Sequence, residues 1–135
     1  ISISSSGKLK AIDLVTEPYP GFPTDMQSQM MTLLSVSEGK SKIKEAIFEN
    51  RYMHVPELKR MGADIKLDKE YAFIKGVDFL SGAEVRSTDL RASASMVLAG
   101  LVAKGRSKIH GLKHLNRGYH NLAEKLMQLG AEIYQ

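Results

Sequence analysis

The chain has 135 residues, of which 43% are hydrophobic and 25% are charged, and its formal net charge is +4. These values are typical of one soluble globular domain that is large enough to bury a core. With no cysteine, the chain can form neither a disulfide nor a thiolate nucleophile nor a cysteine-based metal site. No apolar run approaches the length of a membrane span and no block of Lys or Arg marks a nucleic-acid surface, whereas the mild positive charge suits an anionic small molecule.

The first half of the chain alternates strand and helix patterns. Residues 1–4 and 9–15 alternate apolar and polar side chains around a turn at 6–8, which predicts a β-hairpin. A helix is predicted over residues 26–37, with Gly39 as its left-handed stop. The further predictions are a strand within 41–48, a helix over 55–61 that starts at Pro56 and stops at Gly62, and strands over 63–67 and 71–75.

The second half shows the same order of patterns. A long, largely apolar helix is predicted from Asp89 to about residue 104, and we expect it to be buried more deeply than the helix over 26–37. The remaining predictions are a strand over 107–111, a loop at 116–117, a helix from Leu122 stopped by Gly130, and a strand over 131–134.

Four landmarks recur at a nearly constant offset between the two halves. Asp25 matches Asp89 at 64 residues, and GKSKI at 39–43 matches GRSKI at 105–109 at 66 residues. Asn50-Arg51 and Asn116-Arg117 are also 66 residues apart, and Gly62-Ala63 and Gly130-Ala131 are 68 apart. These matches indicate a duplication, with one unit over about 1–70 and the other over about 71–135. Since neither unit could bury its apolar face alone, we predict one two-layer domain of class α/β (α+β), built from repeated βαβα units with the two apolar helices side by side.

The segment PYPGFPTDMQ at residues 18–27 is the strongest candidate for a functional loop. Its three prolines and one glycine exclude a helix or a central strand and fix the backbone. The loop delivers the carboxylate of Asp25 to the start of the helix over 26–37. A helix cap formed by Thr24 or Asp25 is the simpler explanation, because these residue types dominate N-caps. A cap does not require so rigid a loop in front of it, and this excess favours a functional role.

Three arginines occupy landmark positions: Arg51 and Arg117 in equivalent loops, and Arg91 one turn into the apolar helix. A planar guanidinium binds two oxygens of a phosphate or carboxylate at once, and loops between strands and helices often carry sites. The alternative is that the arginines form local ion pairs, namely Arg51 with Glu49 or Glu57 and Arg91 with Asp89. The histidines at 54, 110, 114 and 120 lack the spacing of metal ligands, and the glycines form no nucleotide-binding signature, so we expect no metal and no cofactor.

Four segments of the chain resemble the UDP-N-acetylglucosamine 1-carboxyvinyltransferases, the enolpyruvyl transferases that open bacterial peptidoglycan synthesis. They are PYPGFPTDMQ at 18–27, IFENRYMHVPEL at 47–58, TDLRASAS at 88–95 and NRGY at 116–119. The resemblance covers essentially the whole chain, in order, and corresponds to the C-terminal part of that family. It implies the inside-out α/β barrel of enolpyruvyl transferases, in which two lobes of three βαβα units close over the substrates. This chain would supply roughly two of those six units, and it would be an excised or processed piece of the whole enzyme.

The resemblance also implies which residues take part in the reaction. Asp25 matches the carboxylate that contacts the attacking hydroxyl of the sugar and acts as its base. Ile47 matches a position whose backbone contacts the UDP-sugar, and Phe48 lies beside it. Arg117 matches an arginine that helps to hold phosphoenolpyruvate. The other implied residues near the same cleft are Arg91, which faces the phosphoenolpyruvate carboxylate, and Arg51, Asp89 and Leu90.

The resemblance implies partners as well. The substrates are UDP-N-acetylglucosamine and phosphoenolpyruvate in the cytoplasm, and the N-terminal lobe supplies the proton-donating cysteine and the phosphate-binding lysine. We therefore expect the fragment alone to be inactive, with no nucleic-acid or membrane partner. One alternative is an enolpyruvylshikimate-phosphate synthase-like transferase. The other is a non-catalytic βα module that binds RNA or protein, against which we count the lack of an aromatic stacking pair or a Lys/Arg stripe.

Overall fold

The computed structural model describes residues 2–5 and 7–134, in which short strands alternate with helices. The strands are β1 (Leu14–Val15), β2 (Lys40–Lys44), β3 (Asp64–Asp68), β4 (Tyr71–Lys75), β5 (Leu80–Ser81), β6 (Glu84–Arg86), β7 (Ala103–Lys104) and β8 (Lys108–His110). The helices are α1 (Gln27–Ser35), α2 (Val55–Arg60), α3 (Leu90–Val102), α4 (Leu115–Gly118) and α5 (Leu122–Gln128), and 3₁₀ turns cover Thr24–Met26 and Leu112–His114. This alternation of helices and sheets confirms the predicted α/β class.

The first half of the chain forms a four-stranded sheet in the order β1-β2-β4-β3. β1 pairs in parallel with β2, with Leu14 opposite Ile43, and the other neighbours are antiparallel. Successive side chains of a strand point to opposite faces, so Ile43 and Ile74 lie on the inner face. There they join Met31 of α1 and Leu58 of α2 in one buried cluster. The predicted strand over 71–75 is confirmed at both ends.

In the second half, α3 crosses over between parallel strands. β5 pairs with β7, and β6 pairs with β8 through Val85 opposite Ile109. The first half contains the same arrangement, because α1 connects β1 with its parallel partner β2. Parallel neighbours require such a crossover, since a tight turn can only reverse the chain.

The helices α1 and α3 lie side by side, as predicted, and hydroxyl groups fill much of their contact. The hydroxyl oxygens of Thr32 and Ser95 are 2.7 Å apart, and Ser95 Oγ also donates to the Ser28 carbonyl at 3.1 Å. Ser28 Oγ in turn donates to the carbonyl of Arg91 at 3.2 Å. All three hydroxyl residues are buried, and each finds a partner across the interface. Small side chains let the two backbones approach closely enough for these bonds to form.

The prediction that α3 is buried more deeply than α1 is wrong. Seven of the nine residues of α1 are buried, compared with six of the thirteen residues of α3. The C-terminal turns of α3 expose Leu98, Leu101 and Val102 by 39%, 40% and 49%. The apolar content of α3 therefore exceeds what the described residues cover, whereas α1 is covered by the sheet and by α3.

The predicted N-terminal hairpin is also wrong for residues 9–15. Backbone bonds run from Ala11 N to the carbonyl of Glu38 and from Thr16 N to the carbonyl of Lys44, so this segment pairs with residues 38–44, which include β2, instead of folding back. Alternation of apolar and polar residues indicates a strand but not its partner. Residues 1 and 6, on which the other arm and the turn depended, lie outside the described residues.

The C-terminal region departs from prediction at two places. The predicted loop at 116–117 lies within α4, and residues 131–134 form no strand. A strand forms only against a partner, and none of the described residues pairs with this segment. The predicted helix stops at Gly62 and Gly130 are confirmed, because both follow a helix and have positive φ angles of 95° and 96°.

The outer face of the sheet carries an aromatic pair that the sequence analysis did not find. Tyr71 and Phe73 of β4 stack with ring centroids 6.2 Å apart. The ammonium groups of Lys42 and Lys44 lie 6.0 and 5.6 Å from the centre of the Tyr71 ring. The expectation that no aromatic pair exists is therefore wrong. Tyr71 and Phe73 are two residues apart on one strand, so their side chains point to the same face of the sheet.

Among the described helices, none is both long and apolar enough to cross a membrane.

Candidate functional site

The carboxylate of Asp25 lies between two guanidinium groups. Arg91 Nε donates to Asp25 Oδ1 at 2.6 Å, and Nη2 of the same arginine contacts the same oxygen. Arg51 Nη1 lies 3.9 Å from this oxygen. The side chain of Asp25 is 65% exposed, compared with 35% for Arg91 and 20% for Arg51. The three residues come from separate segments, and they form an accessible acid beside two less accessible cations.

The position of Asp25 depends on the turn that precedes α1. Asp25 lies in the 3₁₀ turn Thr24–Met26, directly after Pro23, and Asp25 makes no capping bond to the backbone of this turn or of α1. Thr24 instead donates its hydroxyl hydrogen to Glu45 Oε2 at 2.9 Å. The simpler explanation that Thr24 or Asp25 caps the helix is therefore wrong, and the carboxylate remains free to contact the arginines.

The position of Arg91 depends on Asp89, which caps α3. Asp89 Oδ1 accepts from the backbone N–H of Arg91 at 2.8 Å and of Ala92 at 3.0 Å. Burial acts to raise the pKa of Asp89, but these two bonds, together with the Thr88 hydroxyl and the nearby His54, hold the pKa below its ordinary value. The alternative local pairs are not found: Asp89 bonds the Arg91 backbone and not its guanidinium, and Arg51 approaches Asp25. Arg91 is thus directed towards Asp25 from the first turn of its helix.

A cavity of about 220 Å³ opens beside this cluster. Among its lining residues are Arg51, Arg91, Asp89 and His54, so cationic, anionic and neutral polar groups face the same space. His54 is 3% exposed, and burial lowers its pKa to about 4 although the nearby Asp89 acts in the opposite direction. Its imidazole is therefore neutral near pH 7 and leaves the arginines as the cations of the cavity.

A second cavity, of about 570 Å³, adjoins the first. Ile47 and Phe48 line it, and Arg51 lines both cavities. The Arg51 guanidinium lies 4.4 Å from the centre of the Phe48 ring, and Phe48 is 53% exposed. Tyr52 forms another part of the wall; burial raises its pKa to about 12, and its hydroxyl donates to the Glu70 carbonyl at 2.9 Å. The loop that begins at Ile47 thus connects the two cavities.

Three of the residues implied by the resemblance line neither cavity: Arg117, Leu90 and Asp25, whose carboxylate contacts the two arginines beside the first cavity. Arg117 is exposed on α4. Leu90 is half-buried, and its side chain lies so close to Gly118 that an added methyl group there would collide with it. The Tyr119 hydroxyl accepts a bond from Gln29 Nε2 at 3.3 Å, so α4 lies near the starts of both α1 and α3. Arg117 thus lies on a helix near the starts of α1 and α3, without a described contact to Asp25.

Sequence reasoning missed Glu45, a buried acid that follows β2 and bonds to both sides of the site. The local sequence carried no clear signal of this role, because the hydroxyl donors Thr16 and Thr24 lie 29 and 21 residues away.

Within the described part of the chain, no three His, Asp or Glu side chains are grouped so that they could hold a metal ion.

Comparison with known proteins identifies the family. The sequence profile of EPSP synthase (3-phosphoshikimate 1-carboxyvinyltransferase) matches residues 1–126. The chain is 60% identical over 126 residues to UDP-N-acetylglucosamine 1-carboxyvinyltransferase 1 of Caldanaerobacter subterraneus, covering 93% of this chain and 30% of the relative. It is 60% identical over 125 residues to UDP-N-acetylglucosamine 1-carboxyvinyltransferase of Synechocystis, covering 93% of this chain and 28% of that relative.

Solved structures agree in fold. The enolpyruvyl transferase NikO from Streptomyces tendae superposes with a TM-score of 0.87 at 32% identity, over 96% of this chain and 30% of that one. EPSP synthase from Acinetobacter baumannii superposes with a TM-score of 0.65 at 17% identity, over 82% of this chain and 26% of that one, and shows the fold alone. The chain thus spans about 30% of the length of the curated relatives that it matches. This chain belongs to the EPSP synthase (3-phosphoshikimate 1-carboxyvinyltransferase) family.

Proposed function

We propose that this chain is the C-terminal part of an enzyme that transfers the enolpyruvyl group of phosphoenolpyruvate to the 3-hydroxyl of UDP-N-acetylglucosamine and releases phosphate. The observation that carries the proposal is the accessible carboxylate of Asp25 held between Arg91 and Arg51. The names of the relatives at 60% identity support the choice of substrates. This would be the first committed step of peptidoglycan synthesis, and since both substrates are cytoplasmic metabolites, we place it in the cytoplasm.

Asp25 is the base in the proposed reaction. The sugar hydroxyl must lose its proton as its oxygen attacks C2 of phosphoenolpyruvate, and a carboxylate within hydrogen-bond reach can accept that proton. Both arginine contacts of Asp25 are to Oδ1, so Oδ2 is the oxygen that we assign to the hydroxyl. Arg91 fixes the orientation of the carboxylate, because its Nε and Nη2 contact the same oxygen.

The arginines bind the anionic parts of the substrates in this proposal. Phosphoenolpyruvate carries a phosphate and a carboxylate, and a guanidinium matches either with two parallel hydrogen bonds. Arg91 faces the carboxylate, and Arg117 helps to hold the phosphoenolpyruvate from α4. Arg51 contributes its charge where the two cavities meet. The backbone of Ile47, with Phe48 beside it, contacts the UDP-sugar in the second cavity, while Asp89 and Leu90 support the start of α3.

The remaining groups come from an N-terminal lobe. The reaction also requires an acid that protonates C3 as the sugar oxygen adds to C2, removal of a C3 proton as the C2–O bond to phosphate breaks, and a further phosphate ligand. This chain has no cysteine to act as that acid. The two repeat units, about 1–70 and 71–135, would supply one side of the cleft. Catalysis needs the base, the acid and the phosphate ligands in one place. Residues 1–135 alone should therefore not catalyse the reaction.

The test uses the full-length enzyme that contains this chain. Purified enzyme is incubated with phosphoenolpyruvate and either UDP-N-acetylglucosamine or shikimate 3-phosphate, and released phosphate and product mass are measured. We expect phosphate and an enolpyruvyl product with the UDP-sugar only. Turnover with shikimate 3-phosphate alone would assign the other transferase of the family. Residues 1–135 assayed separately should give no product, and turnover by them would contradict the shared-cleft proposal.

A further inference from the structure

Glu45 is a buried carboxylate at the centre of a hydrogen-bond network. It follows β2 and is 4% exposed. Its Oε1 accepts from Thr16 Oγ1 at 2.8 Å and from the backbone N–H of Ile47 at 3.1 Å and of Phe48 at 3.2 Å. Its Oε2 accepts from Thr24 Oγ1 at 2.9 Å. Four donors therefore converge on one carboxylate from three segments of the chain.

The donors belong to two parts of the proposed site. Thr24 directly precedes Asp25, and its hydroxyl bond holds the turn that presents the base. Ile47 and Phe48 line the second cavity, and their amides are oriented by the other oxygen. The side chain of Glu45 thus connects the 3₁₀ turn that carries Asp25 to the loop that lines the second cavity.

Thr16 extends the network on the side away from Asp25. Its hydroxyl donates to Glu45 and accepts from the backbone N–H of Ala46 at 2.9 Å. Thr16 is fully buried and pairs through its own N–H with the Lys44 carbonyl. This arm anchors Glu45 to the sheet, so the carboxylate has a fixed position from which to orient the other two segments.

The chemistry of the network explains why an acid stands there. A buried charge is costly unless hydrogen bonds satisfy it, and an apolar residue would fill the same space without that cost. An apolar residue, however, could not accept four directional bonds. A carboxylate can, because it offers two oxygens that are acceptors only, with about four lone-pair directions. Bonds to a charged acceptor are also shorter and stronger than neutral ones.

We propose that Glu45 is a positioning residue that sets the distance between the proposed base Asp25 and the loop of Ile47 and Phe48. The inference rests on the proposed function, because it assigns the UDP-sugar to that loop. Glu45 also lines the second cavity, and in this proposal it acts through its bonds to Thr24 and the two amides. Its loss should therefore disturb binding of the UDP-sugar and the rate of proton removal, while binding of phosphoenolpyruvate should change little.

The kinetic test compares Glu45→Ala and Glu45→Gln in the full-length enzyme. Glu45→Ala should raise KM for UDP-N-acetylglucosamine about 10- to 100-fold, the range for lost bonds to a charged group, and should lower kcat. KM for phosphoenolpyruvate should stay within about twofold. Glu45→Gln should restore most of the loss, since its Oε1 can still accept from both amides and its Nε2 can donate to Thr24. Glu38→Gln, an exposed glutamate, is the matched control for the change of charge.

A second measurement does not depend on activity. Hydrogen–deuterium exchange of the full-length enzyme should accelerate in peptides that contain 45–48 in Glu45→Ala, and not in Glu38→Gln. Unchanged exchange at 45–48 would overturn the proposal even if activity fell. If the wild-type enzyme does not act on the UDP-sugar, the proposed function fails, and exchange still decides whether Glu45 holds the loop.

Thr24 provides a variant pair in case Glu45→Ala does not fold. Thr24→Val removes one hydroxyl bond to Glu45, and Thr24→Ser keeps it. We expect Thr24→Val to lower kcat about tenfold relative to Thr24→Ser, with both variants folded at the assay temperature. Equal kcat values for the two variants would overturn the proposal. An equal rise of both KM values in Glu45→Ala would also overturn it, because it would show a general structural role.

Discussion

Asp25 and Arg91 are 66 residues apart in the chain, yet Arg91 Nε donates to Asp25 Oδ1 at 2.6 Å. Each stands where a helix begins, Asp25 before α1 and Arg91 in the first turn of α3. Because α1 and α3 lie side by side, their starts bring a carboxylate from one half of the chain to a guanidinium from the other. The pair therefore depends on the packing of the two halves and not on either half alone.

Removal of the proposed base should act mainly on the chemical step. In the full-length enzyme, we expect Asp25→Ala to lower kcat by about 10²- to 10⁴-fold, the usual contribution of a general base, and to raise KM much less. Steady-state kinetics with both substrates measures this. Asp64→Asn removes an exposed acid of β3 and is the control. A kcat near that of the wild type in Asp25→Ala would contradict the assignment of the base.

Removal of the proposed phosphoenolpyruvate arginine should act mainly on binding. We expect Arg117→Ala to raise KM for phosphoenolpyruvate about 10- to 100-fold, because a charge-assisted contact made before the transition state is lost. Lys113→Ala is the matched control, since Lys113 is an exposed cation just before α4. The assay is a titration of phosphoenolpyruvate at saturating UDP-sugar. If the two variants have the same KM, Arg117 does not hold this substrate.

Removal of the cap of α3 should lower stability. Asp89→Ala loses the bonds to the amides of Arg91 and Ala92, and such losses cost about 1 kcal/mol of the free energy of unfolding. Asp89→Asn should retain most of the stability, because asparagine caps helices about as well. Urea unfolding of the chain followed by circular dichroism measures both variants. A stability of Asp89→Ala equal to that of the wild type would show that these bonds contribute nothing.

Because His54 is buried, the free energy of unfolding should decrease as the pH is lowered. Its pKa is about 4 in the folded chain, because of burial, and about 6.5 when unfolded, so the unfolded state binds the proton first as pH falls. The stabilisation that the neutral imidazole of His54 contributes to the free energy of unfolding is therefore complete above about pH 7. It declines as the pH falls from about 6.5 to about 4, and it is lost below pH 4. Between pH 7.5 and 5 we expect a loss of about 2 kcal/mol.

The measurement of this effect is the difference in the free energy of unfolding at pH 7.5 and at pH 5. His54→Gln should reduce that difference, whatever its stability at neutral pH, because glutamine does not titrate. His120→Gln, which removes an exposed imidazole, should leave the difference unchanged. A wild-type pH dependence in His54→Gln would contradict the assignment to His54.

The sequence permitted accurate prediction where local chemistry decides the outcome. Gly62 and Gly130 ended helices because their backbones take positive φ, and Pro56 lies in the first turn of α2. The pairing of α1 with α3 was predicted from their apolar and small residues. Arg51, Asp89 and Arg91 line one cavity, and the role of the motif residues at a substrate cleft stays a prediction.

The failures concern partners that the local sequence does not specify. Residues 9–15 read as a strand, but their alternation could not show that they pair with the segment from Glu38 to Lys44. Glu45 was overlooked because its importance comes from Thr16 and Thr24, which lie 29 and 21 residues away. The burial of α3 was overestimated because apolar content measures what a helix can bury, and the described neighbours cover only part of it.

The hydroxyl contacts between α1 and α3 limit how far these helices can slide. Apolar contacts tolerate small displacements, whereas the bond between Thr32 and Ser95 requires a defined distance and direction. Slippage by one residue moves a helix about 1.5 Å along its axis, enough to break the contact of Arg91 with Asp25. Inactivating substitutions should therefore appear at Thr32 and Ser95, far from any substrate, in protein that still folds. A screen for folded but inactive variants should therefore recover substitutions at Thr32 and Ser95 as readily as substitutions at Asp25.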